Sequence, residues 1–349
     1  MASVSILDSL VFASGLATLA AALTGLMLKI SILAVPNARS SHHHPVPSSG
    51  GVAIVATTYL GVVAAYLIGP YFQAVEKQLL GLGLASLVVA TVGLMDDLGR
   101  VTGFRAKLSA QLFACAILLA SGIVIDRLTL PFVGTAALGV WGYPLTAVWV
   151  IGLTNIFNFM DGLDGLAAGT AVIVAVIFGL ICLGQGALFS YVLCYALSAA
   201  SFGLLVFNFP RAKIFMGDVG SQFLGFVLAV IAVLAAEYDA PTVSVLVMPL
   251  LLFNFIFDTV FTFVRRLCAG ENVTQAHKSH LYQLMNQLGY SHVQVSLFHF
   301  AAALGQGAGA VVLARDAVAD PALVFLPFVL FQCAYAALIL RATRRREQG

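Results

Sequence analysis

The stretch from Thr154 to Leu166 carries Asn155, Asn158, Asp161 and Asp164, an amide or a carboxylate at every third position. On a helix that spacing keeps successive side chains on neighbouring parts of one face. Carboxylate and amide oxygens are what magnesium takes, usually one or two from protein, with phosphate and water completing the shell. Gly162 and Gly165 let a ligand or a second backbone come close and let the helix break. The plainer reading is a helix cap followed by a turn built from Asn, Asp and Gly.

Three further groups have the right chemistry. Asp96 and Asp97 are adjacent, so on a helix they point about 100° apart and cannot share a task. One can meet a metal or a phosphate while the other holds a cation such as Lys107 or Arg105; an Asp pair that merely ends a helix is the alternative. Asp218 stands between Gly217 and Val219-Gly220 at the start of an apolar run, a setting that suits phosphate at a helix N-terminus. Phe215, just before it, can stack on a base or anchor at the membrane interface. Arg265, Arg266, His277, Lys278 and His280 form a basic loop able to bind a diphosphate, or simply a solvated loop. Two histidines without cysteine make half a zinc site, so zinc is not expected. Arg39 and His42, in the loop from Pro36 to Gly51, can receive a phosphate. Asp258 and Arg265, seven apart, are expected to form a structural ion pair on one helix face.

The elements that position these groups must lie in a bilayer. Of 349 residues 61% are hydrophobic and 9% charged, against roughly 25% charged in soluble domains. Apolar segments near 6–35, 50–70, 79–95, 107–125, 141–157, 165–184, 187–207, 221–237, 242–264, 292–314 and 321–341 predict an all-α polytopic membrane protein of about eleven spans. At about 20 residues each, these are long enough to cross. The segment that begins at residue 6 reads as a first span rather than a cleaved signal. Taking loops alternately, one side carries 13 Lys and Arg and the other three, with Lys29 inside the first span. The positive-inside rule then puts the N-terminus outside and the C-terminus in the cytoplasm. Asp96, Asp97, Asp161, Asp164 and Asp218 all fall on the cytoplasmic side. An Asp near the hydrocarbon costs about 2.5–3.5 kcal/mol, so five gathered at one face read as a site. One membrane domain, 1–349, is expected, with working loops near 36–50, 96–107, 155–165, 208–221 and 265–291. The five cysteines, irregularly spaced, read as buried small hydrophobes rather than a disulfide framework or metal knot. No basic patch alternates with aromatics, so no nucleic acid is expected.

The Asp-Asp pair, the Asn-x-x-Asn-x-x-Asp-Gly-x-Asp-Gly run and the Phe-Met-Gly-Asp-Val-Gly-Ser segment, in that order, make the chain resemble the polyprenyl-phosphate N-acetylhexosamine-1-phosphate transferases of glycosyltransferase family 4. The match runs from the Pro-Asn-Ala-Arg loop to the last basic loop. The resemblance implies that Asn158 and Asp218 ligate Mg2+, with Mn2+ also acceptable, and that Asp96 and Asp97 serve the lipid phosphate. It implies a nucleoside pocket of Asp161, Leu163, Asp164 and Phe215, with Phe215 on uracil, and places Lys107 where the family has a lysine. Members that use the muramyl-pentapeptide donor resemble one another in a triple histidine in the last basic loop. Here that stretch reads His277-Lys278-Ser279-His280, which points to the branch that starts O-antigen or other surface polysaccharides.

The expected reaction moves a sugar 1-phosphate from a UDP-N-acetylhexosamine to undecaprenyl phosphate and releases UMP. It would run on the cytoplasmic face of a bacterial inner membrane, with membrane lipid and optionally a second copy of the chain as partners. Two rivals are weighed. A secondary transporter carries its acids near the midplane, often with internal repeats; here the acids gather at one face and no repeat is seen. A CDP-alcohol phosphotransferase would carry a single run of Asp-Gly, Ala-Arg and spaced aspartates that this chain lacks.

Overall fold

A computed structural model describes residues 6–30, 33–34, 46–69, 75–101, 103–273, 275, 277–315 and 320–348. In chain order the elements are α1 (Ile6–Met27), β1 (Leu33–Ala34), β2 (Val46–Pro47), α2 (Gly50–Ile68), α3 (Glu76–Asp97), α4 (Phe104–Ala120), β3 (Arg127–Leu130), β4 (Gly134–Ala137) and α5 (Gly142–Phe159). There follow α6 (Leu166–Gln185), α7 (Leu188–Asn208), α8 (Gly217–Glu237), α9 (Val247–Leu251), α10 (Phe253–Cys268), α11 (Leu281–Gln287), α12 (His292–Ala314) and α13 (Pro321–Gln348). The chain is a helical, polytopic membrane protein. Among the described residues nine helices are long and apolar enough to cross a bilayer. Two expected spans fall short of that measure. Segment 107–125 becomes α4, 17 residues long with Arg105 and Lys107 in its opening turns. Segment 242–264 becomes α9 and α10, interrupted at Leu252.

The fold is not wholly helical. Two short antiparallel ladders join helices, pairing Leu33 with Pro47 and Ala34 with Val46, and Arg127–Leu130 with Gly134–Ala137. Three of the cysteines, Cys115, Cys182 and Cys194, are buried as expected, but Cys268 and Cys333 are exposed.

Helix α8 is the axis. Every residue from Val219 to Ala235 is buried, the pattern of a helix apolar all round and packed on every side. Helices α2, α3, α5 and α7 surround it, and glycines let them approach. A Cβ on Gly51 would stand 2.3 Å from Gly220 N, and one on Gly93 would stand 2.7 Å from Asp218 O. The first turn of α8 is therefore gripped between the start of α2 and the end of α3.

The helix ends sort into two sets. At one, the ends of α3, α5, α7 and α10 meet the starts of α2, α4, α6, α8 and α12. At the other, Glu237 at the end of α8 accepts from Asp126 N (2.9 Å) and Arg127 N (3.2 Å). There Asp239 accepts from Phe189 N and Ser190 N at the start of α7, both at 3.1 Å, and Asp320 accepts from Phe132 N in the β3–β4 turn (2.6 Å). These far-end acids hold loops and helix starts.

Candidate active site

The first set of helix ends brings the acids together. Asp218 opens α8, Asn158 ends α5, Lys107 opens α4 and Asp96 ends α3. Asn158 Nδ2 donates to Asp218 Oδ1 at 3.1 Å and to Ser221 Oγ at 2.9 Å. Lys107 Nζ bridges two carboxylates, reaching Asp96 Oδ2 at 2.7 Å and also donating to Asp218 Oδ2. All three side chains keep partial access to solvent, between 22% and 24% exposed, so a soluble ligand can reach them.

A buried amide chain stands behind Asp218. Gln222 Nε2 donates to Asp218 Oδ2 (3.2 Å), Gln111 Nε2 donates to Gln222 Oε1 (3.1 Å), and Asn155 Nδ2 donates to Gln111 Oε1 (2.7 Å). Gln111 and Gln222 are almost wholly buried. Each link fixes the next, so the orientation of Asp218 is set by partners two helices away.

Asp97 takes a different task from Asp96. Its Oδ1 accepts from Asp218 N (2.9 Å) and its Oδ2 from Val219 N (3.0 Å). It thus satisfies amides that the first turn of α8 leaves open, and a carboxylate at a helix N-terminus is stabilising there. The adjacent acids do point to separate partners, one to a cation and one to a helix.

In the turn after α5, burial pushes the Asp161 carboxyl up to about 8, and the charges of Asp218 and Asp97 push the same way. Leu163 is buried. Asp164 is occupied on both oxygens, accepting from Ala212 N (3.2 Å) and pairing with His292 Nδ1 (3.2 Å). Phe215 is half-buried; its backbone joins the loops, N–H to Pro47 O at 2.7 Å and C=O from Gly50 N at 3.0 Å.

The basic loop lies against the same end through Tyr282, whose hydroxyl donates to Phe159 O (2.9 Å). A Cβ on Gly162 would stand 2.2 Å from that hydroxyl, so only glycine fits between them. The expected Asp258–Arg265 pair is replaced by other contacts. Asp258 Oδ1 accepts from Leu281 N (2.9 Å) and meets His280 Nδ1 (3.1 Å), while Oδ2 accepts from Tyr282 N (2.9 Å). Open amides at the start of α11 are closer at hand than an arginine two turns along α10. Arg265 donates to Ser279 O. Arg266 is buried and spends its guanidinium on Glu271 Oε2 (2.7 Å), Gln275 O (3.2 Å) and Asn272 O (2.9 Å). His277 stacks on His280 with ring centroids 5.0 Å apart. Burial, with His280 and Arg266 nearby, lowers His277 to about 4, so it is neutral at pH 7 and brings no charge. Lys278 lies in the same loop. Arg39 and His42 lie outside the described residues.

The family model described as Glycosyl transferase family 4 matches residues 79–236. A probable undecaprenyl-phosphate N-acetylglucosaminyl 1-phosphate transferase of Bacillus subtilis is 32% identical over 267 residues, 76% of this chain and 72% of the relative. The chain belongs to glycosyl transferase family 4. A decaprenyl-phosphate N-acetylglucosaminephosphotransferase of Mycolicibacterium smegmatis is 33% identical over 295 residues, 76% of this chain and 71% of the relative. An undecaprenyl-phosphate alpha-N-acetylglucosaminyl 1-phosphate transferase of Yersinia pestis is 28% identical over 335 residues, 91% of this chain and 86% of the relative. This family 4 protein is a membrane transferase, and the transporter alternative finds no support.

Gln111 and Gln222 of the transferase were not among the residues its sequence singled out, and Ser221 closed a quoted segment without a role of its own. A signal was present: Gln111 follows Lys107 by four and Gln222 follows Asp218 by four, polar side chains one turn along otherwise apolar helices. Among the described residues no group of three or more His, Cys, Asp or Glu converges as a metal site. An apolar cavity of about 490 Å³, lined by Tyr59, Tyr66, Leu82, Phe223 and others, lies between α2, α3 and α8 in the half of the bundle away from these acids.

Proposed function

We propose that this transferase moves N-acetylglucosamine 1-phosphate from a UDP donor to undecaprenyl phosphate, the first membrane step of a surface polysaccharide. The observation that carries the reading is Asp218, held at the head of α8 by Asp97, with Asn158 at 3.1 Å and Lys107 against it. The names of the relatives support the sugar and the lipid. The loop His277-Lys278-Ser279-His280, without a triple histidine, favours this branch over a muramyl-pentapeptide donor.

The donor set fits magnesium. Asp218 carries a carboxylate and Asn158 an amide oxygen, hard donors and few of them, which would leave coordination positions for phosphate and water as magnesium prefers. When bound, the ion would supply positive charge to the donor diphosphate. The lipid phosphate has a second pKa near 6, so it reaches pH 7 mostly as the dianion and needs little help from a base. One of its oxygens forms a bond to the phosphorus that carries the sugar. The bond from that phosphorus to the bridging oxygen breaks, and UMP departs with the electron pair. The chain's own part is positioning and charge neutralisation, as in other phosphoryl transfers. Lys107 and Asp96 line the attacking side, and Asp97 keeps Asp218 in place. The Asp161–Leu163 turn and Phe215 serve the nucleoside, while Lys278 and the loop that Arg265 and Arg266 organise face the diphosphate.

Eleven crossings, with the N-terminus outside and these groups at the cytoplasmic face of a bacterial inner membrane, complete the reading. The alternation of helix ends supports it, with α4 and α9–α10 counted as crossings, as does the charge asymmetry of the loops. The test is purified protein with undecaprenyl phosphate, Mg2+ and a panel of UDP-N-acetylhexosamines and the UDP-muramyl-pentapeptide. UMP and a lipid-linked N-acetylglucosamine diphosphate are expected from UDP-N-acetylglucosamine. Turnover with the pentapeptide donor alone would overturn the choice of branch.

A further inference from the structure

Just after Leu252, between α9 and α10, the amides of Asn254 and Phe255 leave the backbone ladder inside the apolar bundle, where open amides and carbonyls are costly. Two side chains close the gap. Phe255 N–H donates to Asn254 Oδ1 (3.0 Å) instead of continuing the ladder to Leu251. Gln306 of α12, with its amide turned so that donors meet acceptors, accepts from Asn254 N (3.1 Å). Its nitrogen donates to Leu251 O (3.1 Å) and Asn254 Oδ1 (3.2 Å). Asn254 Nδ2 then reaches His299 Nδ1 (3.2 Å) and His299 O (3.3 Å). Asn254, His299 and Gln306 are each about 1% exposed.

What hangs on this break is the basic loop. Beyond it, α10 carries Asp258, which holds the start of α11, Arg265, which holds Ser279, and Arg266, which holds Glu271, Asn272 and Gln275. On the outer face of α10 Val260, Phe263, Val264 and Leu267 are about half exposed, so among the described residues little steadies that side. The direction in which α10 leaves the break therefore decides where the loop stands beside Phe159 and the Asp161 turn.

We propose that Gln306, acting through Asn254, is a positioning residue: it sets the course of α10 and so the place of the basic loop over the donor diphosphate. This rests on the reaction proposed above. Gln306→Leu keeps the volume and removes the clamp. The expected result is a donor KM raised about ten-fold with kcat per folded enzyme little changed. Hydrogen exchange, read by mass spectrometry, should quicken in 253–288 and stay constant in 76–97 and 217–237. Gln306→Glu, which keeps the acceptor for Asn254 N, should shift both readings the same way by less, and it serves where the leucine variant does not fold. Unchanged exchange in 253–288, or quickened exchange with an unchanged KM, overturns the inference. If the wild type itself releases no UMP from UDP-N-acetylglucosamine, the proposed reaction fails instead, and the exchange arm alone decides whether Gln306 is a clamp.

Discussion

Asp218 draws its partners from three other helices, and its substitution is the sharpest test of the centre. Asp218→Asn keeps the shape but removes the charge that Lys107 and a divalent ion answer. UMP release should fall about 10³-fold or more while thermal unfolding in detergent stays close to wild type; near-normal turnover would remove Asp218 from the reaction. Phe215→Ala should raise the donor KM more than it lowers kcat. An unchanged KM would return Phe215 to the role of an interfacial anchor. His277 gives a pH prediction. Its folded value of about 4 lies below its ordinary 6.5, so below pH 6.5 the unfolded chain gains a proton that the folded chain refuses. Stability present above pH 6.5 is therefore lost as the pH falls towards 4. Unfolding temperatures of His277→Gln across pH 7 to 4.5 should show a shallower decline than wild type. That these acids gather at one end of the bundle was legible from residue types and the alternation of loops. Their division of labour was not, because Asp96 and Asp97 differ only in which neighbour each one meets.

At the scale of elements, the first turn of α8 is the part that must not move. It is fixed by the Asp97 carboxylate and by the close approaches at Gly51 and Gly93. Gly51→Ala would place a Cβ 2.3 Å from Gly220 N, backbone against backbone with no flexible side chain to give way. Overpacking of this kind costs about 1–3 kcal/mol. A lowered unfolding temperature together with reduced turnover is expected; full activity at wild-type stability would show that α2 and α8 can part without harm. The helices themselves were readable as apolar runs, because a bilayer demands length and apolarity of each. The break just after Leu252 was not, since the residues that repair it, Asn254 and Gln306, lie 52 positions apart in sequence and satisfy backbone groups that no apolar count registers.

For the whole molecule, the arrangement of ends makes a directional prediction. A cysteine at Phe132, in the exposed β3–β4 turn, should react with an impermeant thiol reagent from outside intact cells. One at Arg346 should react only after the membrane is opened. The reverse pattern would place the Asp218 centre on the wrong face for a cytoplasmic nucleotide. Composition, apolar run length and the order of the acidic segments were enough to make this a polytopic transferase of its family, since those properties are local to the chain and the bilayer reads them directly. Only the tertiary structure decided that Asp97 holds a helix, that Asp258 serves α11 rather than Arg265, and that a buried amide chain fixes Asp218. Each of those depends on which unpaired backbone group or side chain a neighbouring helix brings within hydrogen-bonding reach, and a linear sequence carries no record of that.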